Sequence, residues 1–168
     1  MIQAIVYTSN TGYTAQYAEM LGEILGLPMY TLEDSKALAD RTEIIYLGWL
    51  MASRVMGLKE AERRFDIKVV AATCLGTTGS QIGEVRRINK IPADLPLFTL
   101  QGGFDMKRLR GMYKFMMRIV GTAIKKKIMS QPEQTEDDRR IVEMLDNGGS
   151  AVDQKHLKDI IQCIHSLH

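Results

Sequence analysis

Five short apolar runs, rich in β-branched residues, predict the strands of a buried sheet. Each run is continuously apolar rather than alternating, which is typical of strands covered on both faces. They are Gln3–Thr8, Pro28–Leu32, Glu43–Trp49, Ile67–Cys74 and Leu97–Gln101. Helical patterns separate several of the runs, over Tyr13–Leu25, Leu58–Phe65 and Gly79–Asn89. This alternation predicts an α/β fold, with a parallel sheet between two layers of helices.

The pattern changes after Gln101. A long helical pattern runs from about Asp105 to Met129, and a second helix ends at the capping sequence Asn147-Gly148-Gly149. A last helix follows Asp153, and its apolar residues have the spacing of a core-facing stripe: Leu157, Ile160, Ile161, Ile164 and Leu167. We interpret residues 1–168 as one domain, in which a helical insertion at about 103–150 precedes the last helix.

The first helix of the insertion is predicted to be amphipathic and basic. Residues 105–129 contain eight Lys and Arg residues and a single acid, Asp105, so a basic segment joins a mildly acidic body. On a helical wheel, one broad arc holds the apolar residues: Met106, Leu109, Met112, Tyr113, Met116, Met117, Ile119, Val120, Ala123 and Ile124. Such a helix suits an anionic membrane surface. The competing interpretation is that the apolar arc packs on the next helix.

Composition excludes several classes of protein. The chain has 168 residues, of which 45% are hydrophobic, and no apolar run reaches the roughly 18 residues of a membrane span. Cys74 and Cys163 form no CxxC pair, which indicates a reducing, cytoplasmic setting. The three His residues lie near the C-terminus without neighbouring ligands at metal-site spacing, so we predict no metal site. The basic segment shows no nucleic-acid-binding motif, and we expect no nucleic acid partner.

A polar loop, SNTGYT at residues 9–14, lies between the first predicted strand and the first predicted helix. In this position, backbone N–H groups and hydroxyls surround a helix N-terminus, where the helix dipole favours an anion. Gly12 allows the backbone to approach that anion closely. The loop lacks the GK[ST] and GxGxxG patterns, so it is neither a Walker loop nor a dinucleotide loop. Its neutral donors favour a monophosphate, and a Ser/Thr-capped helix without a ligand is the alternative.

The loop resembles the S/T-x-T-G-x-T loop of flavodoxins, which holds the phosphate of FMN. The matching residues are Ser9, Asn10, Thr11, Gly12, Tyr13 and Thr14. This resemblance covers residues 1–101 and the last helix. It implies a flavodoxin-like, doubly wound, five-stranded parallel sheet in the order 2-1-3-4-5. It also implies FMN as the cofactor, bound at the carboxyl ends of the strands.

The same resemblance implies two loops around the flavin ring, GWLMASRVMG after the third strand and CLGTTGSQIG after the fourth. The residues that we expect beside the cofactor are Trp49, Leu50, Met51, Ala52, Cys74, Leu75, Gly76, Thr77, Thr78 and Gly79. Trp49, the only Trp, is the candidate for stacking on the ring, and packing at the end of the strand is its alternative role. Leu75 and Thr77 stand where flavodoxins often have aromatic residues.

The insertion resembles that of flavodoxin-type menaquinone-dependent protoporphyrinogen oxidases and their relatives. This resemblance implies an FMN-dependent oxidoreductase that transfers electrons to or from a membrane quinone, or exchanges them with a redox partner protein. No catalytic residue can be carried over from it. It also implies a cytoplasmic protein with peripheral contact at the inner face of the membrane through residues 105–129. A flavin-free regulatory or interaction module on the same fold is the alternative function.

Overall fold

The computed structural model describes residues 1–109 and 111–167, which form eight strands and six helices in that part of the chain. The strands are β1 (Ala4–Tyr7), β2 (Met29–Thr31), β3 (Glu43–Met51), β4 (Arg54–Val55), β5 (Asp66–Cys74), β6 (Leu97–Gln101), β7 (Gly103–Phe104) and β8 (Gly149–Ser150). The helices are α1 (Tyr13–Leu25), α2 (Leu58–Arg64), α3 (Ile82–Asn89), α4 (Gly111–Met129), α5 (Glu136–Asn147) and α6 (Lys158–Ser166). Short 3₁₀ turns cover Asp34–Ala37 and Gln154–Leu157.

Five strands form a parallel sheet in the order β2-β1-β3-β5-β6. The two-residue strand β4 pairs antiparallel with the end of β3. The central strands are buried on both faces: Ile5 and Ile45, which are partners in the register between β1 and β3, are both fully buried. The structure therefore confirms the α/β class with a mostly parallel sheet, as the continuous apolar runs predicted.

Two hydrophobic cores cover the two faces of this sheet. The first contains side chains of α1 and α6, including Tyr17, Leu21 and Ile160. The second contains side chains of α2 and α3, including Leu58 and Val85. Helices thus flank both faces, as in doubly wound folds.

The insertion leaves and rejoins the body at one point. β7 and β8 form a two-stranded antiparallel ladder, in which Gly103 pairs with Ser150 and Phe104 with Gly149. Between them, α4 and α5 pack together around a third cluster whose buried members are Phe104, Leu109 and Met144. A capping box on Thr135 and Asp138 begins α5.

The hydroxyl of Tyr17, a residue of α1, forms hydrogen bonds with the chain on both sides of this ladder. The side chain is fully buried, its hydroxyl donates to the carbonyl of Gln101, and the Nδ1 atom of His156 lies 2.7 Å away. The N–H of Asp153 donates to the same hydroxyl oxygen at 3.4 Å. Burial raises the pKa of Tyr17 to about 12. One phenol therefore joins the chain before the insertion to the chain after it.

Three expectations about the helices are wrong in detail. The long helix begins at Gly111 rather than near Asp105, because the chain first forms β7 and a turn that Asp105 stabilises by accepting from the N–H of Lys107. The helix predicted over Gly79–Asn89 begins only at Ile82, because residues 78–81 form a turn. Leu167 lies beyond the end of α6 and is 50% exposed.

The apolar arc of α4 is divided between two surroundings. Tyr113 and Met117 pack in the insertion's cluster, whereas Met112 and Ile119 are exposed to solvent. Among the described residues, no helix has both the length and the apolar character that crossing a membrane requires.

Candidate functional site

The candidate site lies where β1 and β3 end side by side. β1 has β2 on one side and β3 on the other, so the chain reverses its direction of winding between β1 and β3. In open α/β sheets, the crevice at the carboxyl ends of such strands is the usual ligand site. The loop of residues 9–14 follows β1 there, and the end of β3, just after Trp49, forms a hairpin with β4.

The Ser9–Thr14 loop presents backbone donors that the described part of the chain leaves without an acceptor. The Ser9 hydroxyl oxygen accepts from the N–H groups of Gly12 at 3.1 Å and Ala15 at 3.4 Å, which closes the loop. Gly12 has φ of +92°, in the left-handed region that glycine adopts without strain. Within residues 1–109 and 111–167, the N–H groups of Thr11, Tyr13 and Thr14 donate to no protein acceptor. The turn therefore points free N–H groups outward from the start of α1.

Asn10 provides a second observation at this loop. Its side-chain oxygen is buried and, within the described residues, has no hydrogen-bond partner. A buried polar atom left without a partner is costly, and natural structures usually pair such an atom with protein, water or a ligand. The amide of Asn10 borders both cavities described below. A hydroxyl-bearing ligand beside the loop would satisfy it.

The first expected ring loop is a rigid hairpin. Leu50 and Met51 pair with Val55 and Arg54, and the turn between them is formed by Ala52 and Ser53, with φ of +46° and +60°. Positive φ at both central residues is the geometry of a type I′ turn, which Asn and Gly usually fill. Strained backbone of this kind clusters at functional sites.

Asn89 of α3 holds this hairpin against the body. Its side-chain oxygen accepts from the N–H of Val55 at 2.9 Å, and its amide N–H donates to the carbonyl of Ser53 at 2.8 Å. The hairpin is thus tied to α3 through its turn and through β4, while Leu50 on the other strand lines the inner cavity.

Gly57 follows the hairpin and lies against the hydroxyls of Thr8 and Tyr46. The hydroxyls of Thr8 and Tyr46 lie 2.9 Å apart, and that of Tyr46 donates to the carbonyl of Met56 at 2.7 Å. A Cβ at Gly57 would lie 2.5 Å from the Thr8 hydroxyl and nearer still to that of Tyr46. Burial raises the pKa of Tyr46, so its phenol remains neutral. These hydrogen bonds join the residue after β1 to β3 and to the chain after β4.

The second expected ring loop folds back on β6. The N–H of Gly79 donates to the carbonyl of Thr99 at 3.0 Å, and the hydroxyl of Thr78 accepts from the N–H of Gln101 at 2.9 Å. The thiol of Cys74 donates to the carbonyl of Gly76 at 3.4 Å, and burial raises its pKa to about 11. This loop therefore takes part in the fold rather than extending over the sheet edge.

Two cavities meet at the loop of residues 9–14. The inner cavity measures about 80 Å³ and is enclosed by body and insertion residues: Asn10, Thr11, Tyr13, Thr14, Trp49, Leu50, Thr73, Cys74, Leu75, Gly103, Phe104, Leu109 and Met117. The outer cleft measures about 610 Å³, and Ser9, Gly12, Glu33 and Glu60 are among the residues that line it. Asn10 and Trp49 border both spaces.

The sixteen predicted site residues divide into three groups. Eight line the inner cavity: Asn10, Thr11, Tyr13, Thr14, Trp49, Leu50, Cys74 and Leu75. Ser9 and Gly12 line the outer cleft. The remaining six line neither space: Met51, Ala52, Gly76, Thr77, Thr78 and Gly79. Thr77 borders a separate cleft beneath α5.

The insertion contributes residues that sequence reasoning did not place at the site. The ring of Tyr113 meets the indole of Trp49 edge-on, with the ring centroids 5.2 Å apart. The guanidinium of Arg108 lies 5.9 Å from the centre of the Tyr13 ring, which brings a cation to a loop that has none. These residues are about 100 positions from the loop along the chain, and no local pattern in the sequence relates them to it.

The two ends of the site fit FMN differently. The phosphate end fits, because the free N–H groups of the loop and the hydroxyls of Thr11 and Thr14 are donors for phosphate oxygens. The ring end is covered by Leu109 and Met117, and its 80 Å³ falls below the roughly 300 Å³ of typical small-molecule sites. A flavin ring could enter this inner cavity only if Leu109 and Met117 moved aside, whereas the outer cleft already measures about 610 Å³.

Compared with known proteins, the chain matches no family model, no curated protein and no solved structure. In the described part of the chain, no group of three or more His, Cys, Asp or Glu residues has the arrangement of a metal site. The geometry of the 9–14 loop and the cavity beside it is therefore the basis for a functional assignment.

Proposed function

We propose that the protein is a flavodoxin-like flavoprotein that binds FMN and takes part in electron transfer. Counting only the strands of three or more residues, the order β2-β1-β3-β5-β6 supports the order 2-1-3-4-5 that the resemblance to flavodoxins implies. The phosphate-loop sequence, Ser9 to Thr14, follows the first strand of this sheet and opens α1. The fold and the motif thus support the same cofactor at the same sheet edge.

One observation carries the proposal. The N–H groups of Thr11, Tyr13 and Thr14 have no protein acceptor in the described residues, and they lie at the N-terminus of a helix. A phosphate monoester brings acceptor oxygens and negative charge, both of which this arrangement favours. No Lys is needed, because the loop acts through dipoles and hydrogen bonds.

The residues have distinct parts in this proposal. Residues 9–14 hold the phosphate, the side-chain oxygen of Asn10 accepts from a ribityl hydroxyl, and Trp49 and Leu75 flank the ring. When bound, FMN supplies the one- and two-electron chemistry that side chains lack. The redox partner is a quinone or a protein, reached by a cytoplasmic enzyme that touches the inner face of the membrane through residues 105–129.

The decisive experiment is a titration of the purified apoprotein with FMN and with riboflavin, followed by visible absorption. We expect bound FMN with flavin bands, and far weaker binding of riboflavin, because riboflavin lacks the phosphate that the loop recognises. Equal affinity for the two flavins would contradict the assignment of the loop. A protein that rejects both would exclude FMN.

A flavin-free regulatory or interaction module is the second candidate, and the closed ring end favours it. Leu109 and Met117 cover the inner cavity, and the loop from Cys74 to Gly79 is bonded to β6. In such a module, the insertion would be a permanent part of the core. Colourless protein that binds no added FMN, with a stably packed insertion, is the result that this alternative predicts.

A further inference from the structure

Helix α4 has two apolar faces, and each has a different neighbour. Its inner face packs in the third cluster and over the candidate site. Its outer face is exposed to solvent. Most surface helices have one apolar stripe and one polar face, so a second apolar stripe is unusual.

The inner face of α4 covers the ring end of the site. Met117 lines the 80 Å³ cavity together with Leu75 and Cys74. Tyr113, one turn earlier, makes the edge contact with Trp49. The same two residues of α4 pack with Leu109 in the cluster of the insertion. Moving α4 outward would therefore open the cavity and separate Tyr113 from Trp49.

The outer face of α4 presents large apolar side chains to solvent. Met112 is 71% exposed, Phe115 is 65% exposed and Ile119 is 59% exposed. Their spacing of three and four residues places them on one stripe of the helix. Contiguous exposed apolar side chains of this kind usually mark an interaction surface.

The charges around this stripe are of one sign. Residues 106–131 contain no Asp or Glu. Lys107, Arg108, Arg118, Lys126 and Lys127 are all exposed in the structure. A helix that combines Met, Phe and Ile with surrounding cations suits the boundary between anionic headgroups and hydrocarbon, where both kinds of side chain are accommodated.

We propose that an anionic lipid surface is the partner of the outer face and that docking lifts α4 away from the candidate site. Lipid would bury Met112, Phe115 and Ile119, which the closed form leaves exposed to solvent. A ligand shifts an equilibrium only by binding one state better than the other. The membrane binds the open state better than the closed state if α4 enters the lipid interface more deeply once its inner apolar face is also free to contact lipid. Access to the ring end then depends on the membrane, and in this respect the inference rests on the proposed function.

Cys74 offers a readout of lid opening that does not require FMN. Its side chain is 7% exposed and lines the cavity beneath α4. In a Cys163→Ser background, N-ethylmaleimide labels only this thiol, and its labelling rate at fixed pH reports how often the cavity opens. The rate is measured alone, with phosphatidylcholine vesicles, and with vesicles that contain phosphatidylglycerol, at low and high salt. Co-sedimentation measures binding in parallel.

We expect vesicles with phosphatidylglycerol to bind the protein at low salt and to raise the labelling rate at least tenfold. Binding with an unchanged labelling rate would overturn the coupling, and no binding at low salt would overturn the lipid partner. Soluble poly-glutamate serves as a probe of charge alone. An equal acceleration by poly-glutamate would overturn the lipid assignment and point to an acidic protein.

Variants separate the two faces. Phe115→Ser with Ile119→Ser should abolish the effect of vesicles. The matched control is Ile24→Ser with Met29→Ser, which changes two exposed apolar residues of α1 and β2, outside the insertion, and should leave the effect of vesicles intact. Tyr113→Ala weakens only the inner contact, so it should raise the labelling rate without vesicles. Equal labelling rates for Tyr113→Ala and the parent protein would contradict the lid.

FMN titrations with and without vesicles complete the test. We expect vesicles with phosphatidylglycerol to lower the FMN dissociation constant at least tenfold. Faster labelling of Cys74 in a protein that never binds FMN would support the lid and contradict FMN as the cofactor. If vesicles change neither the FMN dissociation constant nor the labelling rate of Cys74, FMN is supported as the cofactor and the lid is overturned.

Discussion

The indole of Trp49 and the ring of Tyr113 meet edge-on, with their planes at 84° and their centroids 5.2 Å apart. Trp49 belongs to β3 of the body, and Tyr113 belongs to α4 of the insertion. Edge-to-face aromatic pairs contribute about 0.5–1.5 kcal/mol beyond the area that they bury. This contact is a direct link between the two parts of the molecule at the mouth of the candidate site.

Because Trp49 is the only Trp, tryptophan fluorescence reports only on the mouth of the candidate site. We expect FMN to quench the emission of Trp49, since the proposed ring position is beside it. Fluorescence titration measures the effect, and absorption establishes the bound flavin independently. Unchanged emission in a protein with bound FMN would exclude stacking and leave Trp49 a packing role.

Replacing Thr11 by Ala should weaken FMN binding. A hydrogen bond from Thr11 to a charged phosphate contributes roughly 1.5–3 kcal/mol, which is about a 10- to 150-fold change in the dissociation constant. Thr122→Ala is the matched control, because Thr122 is exposed on α4 and lies outside both cavities at the loop. An equal effect of the two changes would show that Thr11 does not contact the phosphate.

The two substitutions Gly57→Ala and Gly79→Ala should differ strongly in their effect on stability. Both glycines have positive φ, +78° and +84°, so each alanine suffers backbone strain of roughly 1–2 kcal/mol. Only at Gly57 would the new Cβ also collide with the hydroxyls of Thr8 and Tyr46. We expect Gly57→Ala to lower the free energy of unfolding by at least about 1 kcal/mol more than Gly79→Ala, as overpacking does. Urea unfolding measures both, and equal losses would contradict this packing.

Stability should decrease when the pH falls from about 7 toward 5, in part because of His156. Burial, assisted by the nearby Lys155, lowers the pKa of its imidazole in the folded protein. The unfolded chain, with a pKa of about 6.5, then binds a proton before the folded chain does, so acid favours unfolding. The carboxylates with lowered pKa values, Glu43, Asp138 and Asp153, lose their stabilising contribution mainly below about pH 5.

The variant His156→Gln checks this assignment. It removes the titration of residue 156, so the dependence of the free energy of unfolding on pH between 7 and 5 should become shallower. Urea unfolding at several pH values measures the slope. A slope identical to that of the parent protein would assign the effect to other groups.

Removal of the insertion should leave a folded α/β body. Phe104 and Gly149 are paired neighbours in the β7–β8 ladder, so residues 105–148 can be replaced by a two-residue Asn-Gly turn. Circular dichroism and urea unfolding should show a cooperative protein with less helix. The emission of Trp49 should also change, because its contact with Tyr113 is lost. Loss of cooperative unfolding would show that the body needs the insertion.

The body was predictable because its sequence has clear boundaries. Tyr13–Leu25 was predicted and observed with the same ends, since Gly12 and Gly26 both adopt the left-handed conformation that interrupts a helix. The hairpin at Ala52 and Ser53 was not predicted as a hairpin. Its turn lacks the Asn or Gly that normally indicates a hairpin in a sequence. Hydrogen bonds from the side chain of Asn89 stabilise it instead.

The insertion was less predictable, because periodicity shows which residues share a face and not what covers that face. Met112 and Tyr113 are neighbours in the predicted arc, and only the folded chain places one in solvent and the other against Trp49. The same reason applies to Leu109 and Met117, whose place over the site depends on the path of α4 across the sheet edge.

The third cluster around Phe104, Leu109 and Met144 shares no member with the two cores of the sheet. Clusters that share no residues often unfold as separate cooperative units, and each unit has its own free energy of opening. The amide hydrogens of α4 and α5 should therefore exchange with solvent through local unfolding, well before those of β1, β3 and β5. Destabilising changes inside this cluster would then raise the population of a partly unfolded insertion while the sheet stays intact, and proteases would cut there first.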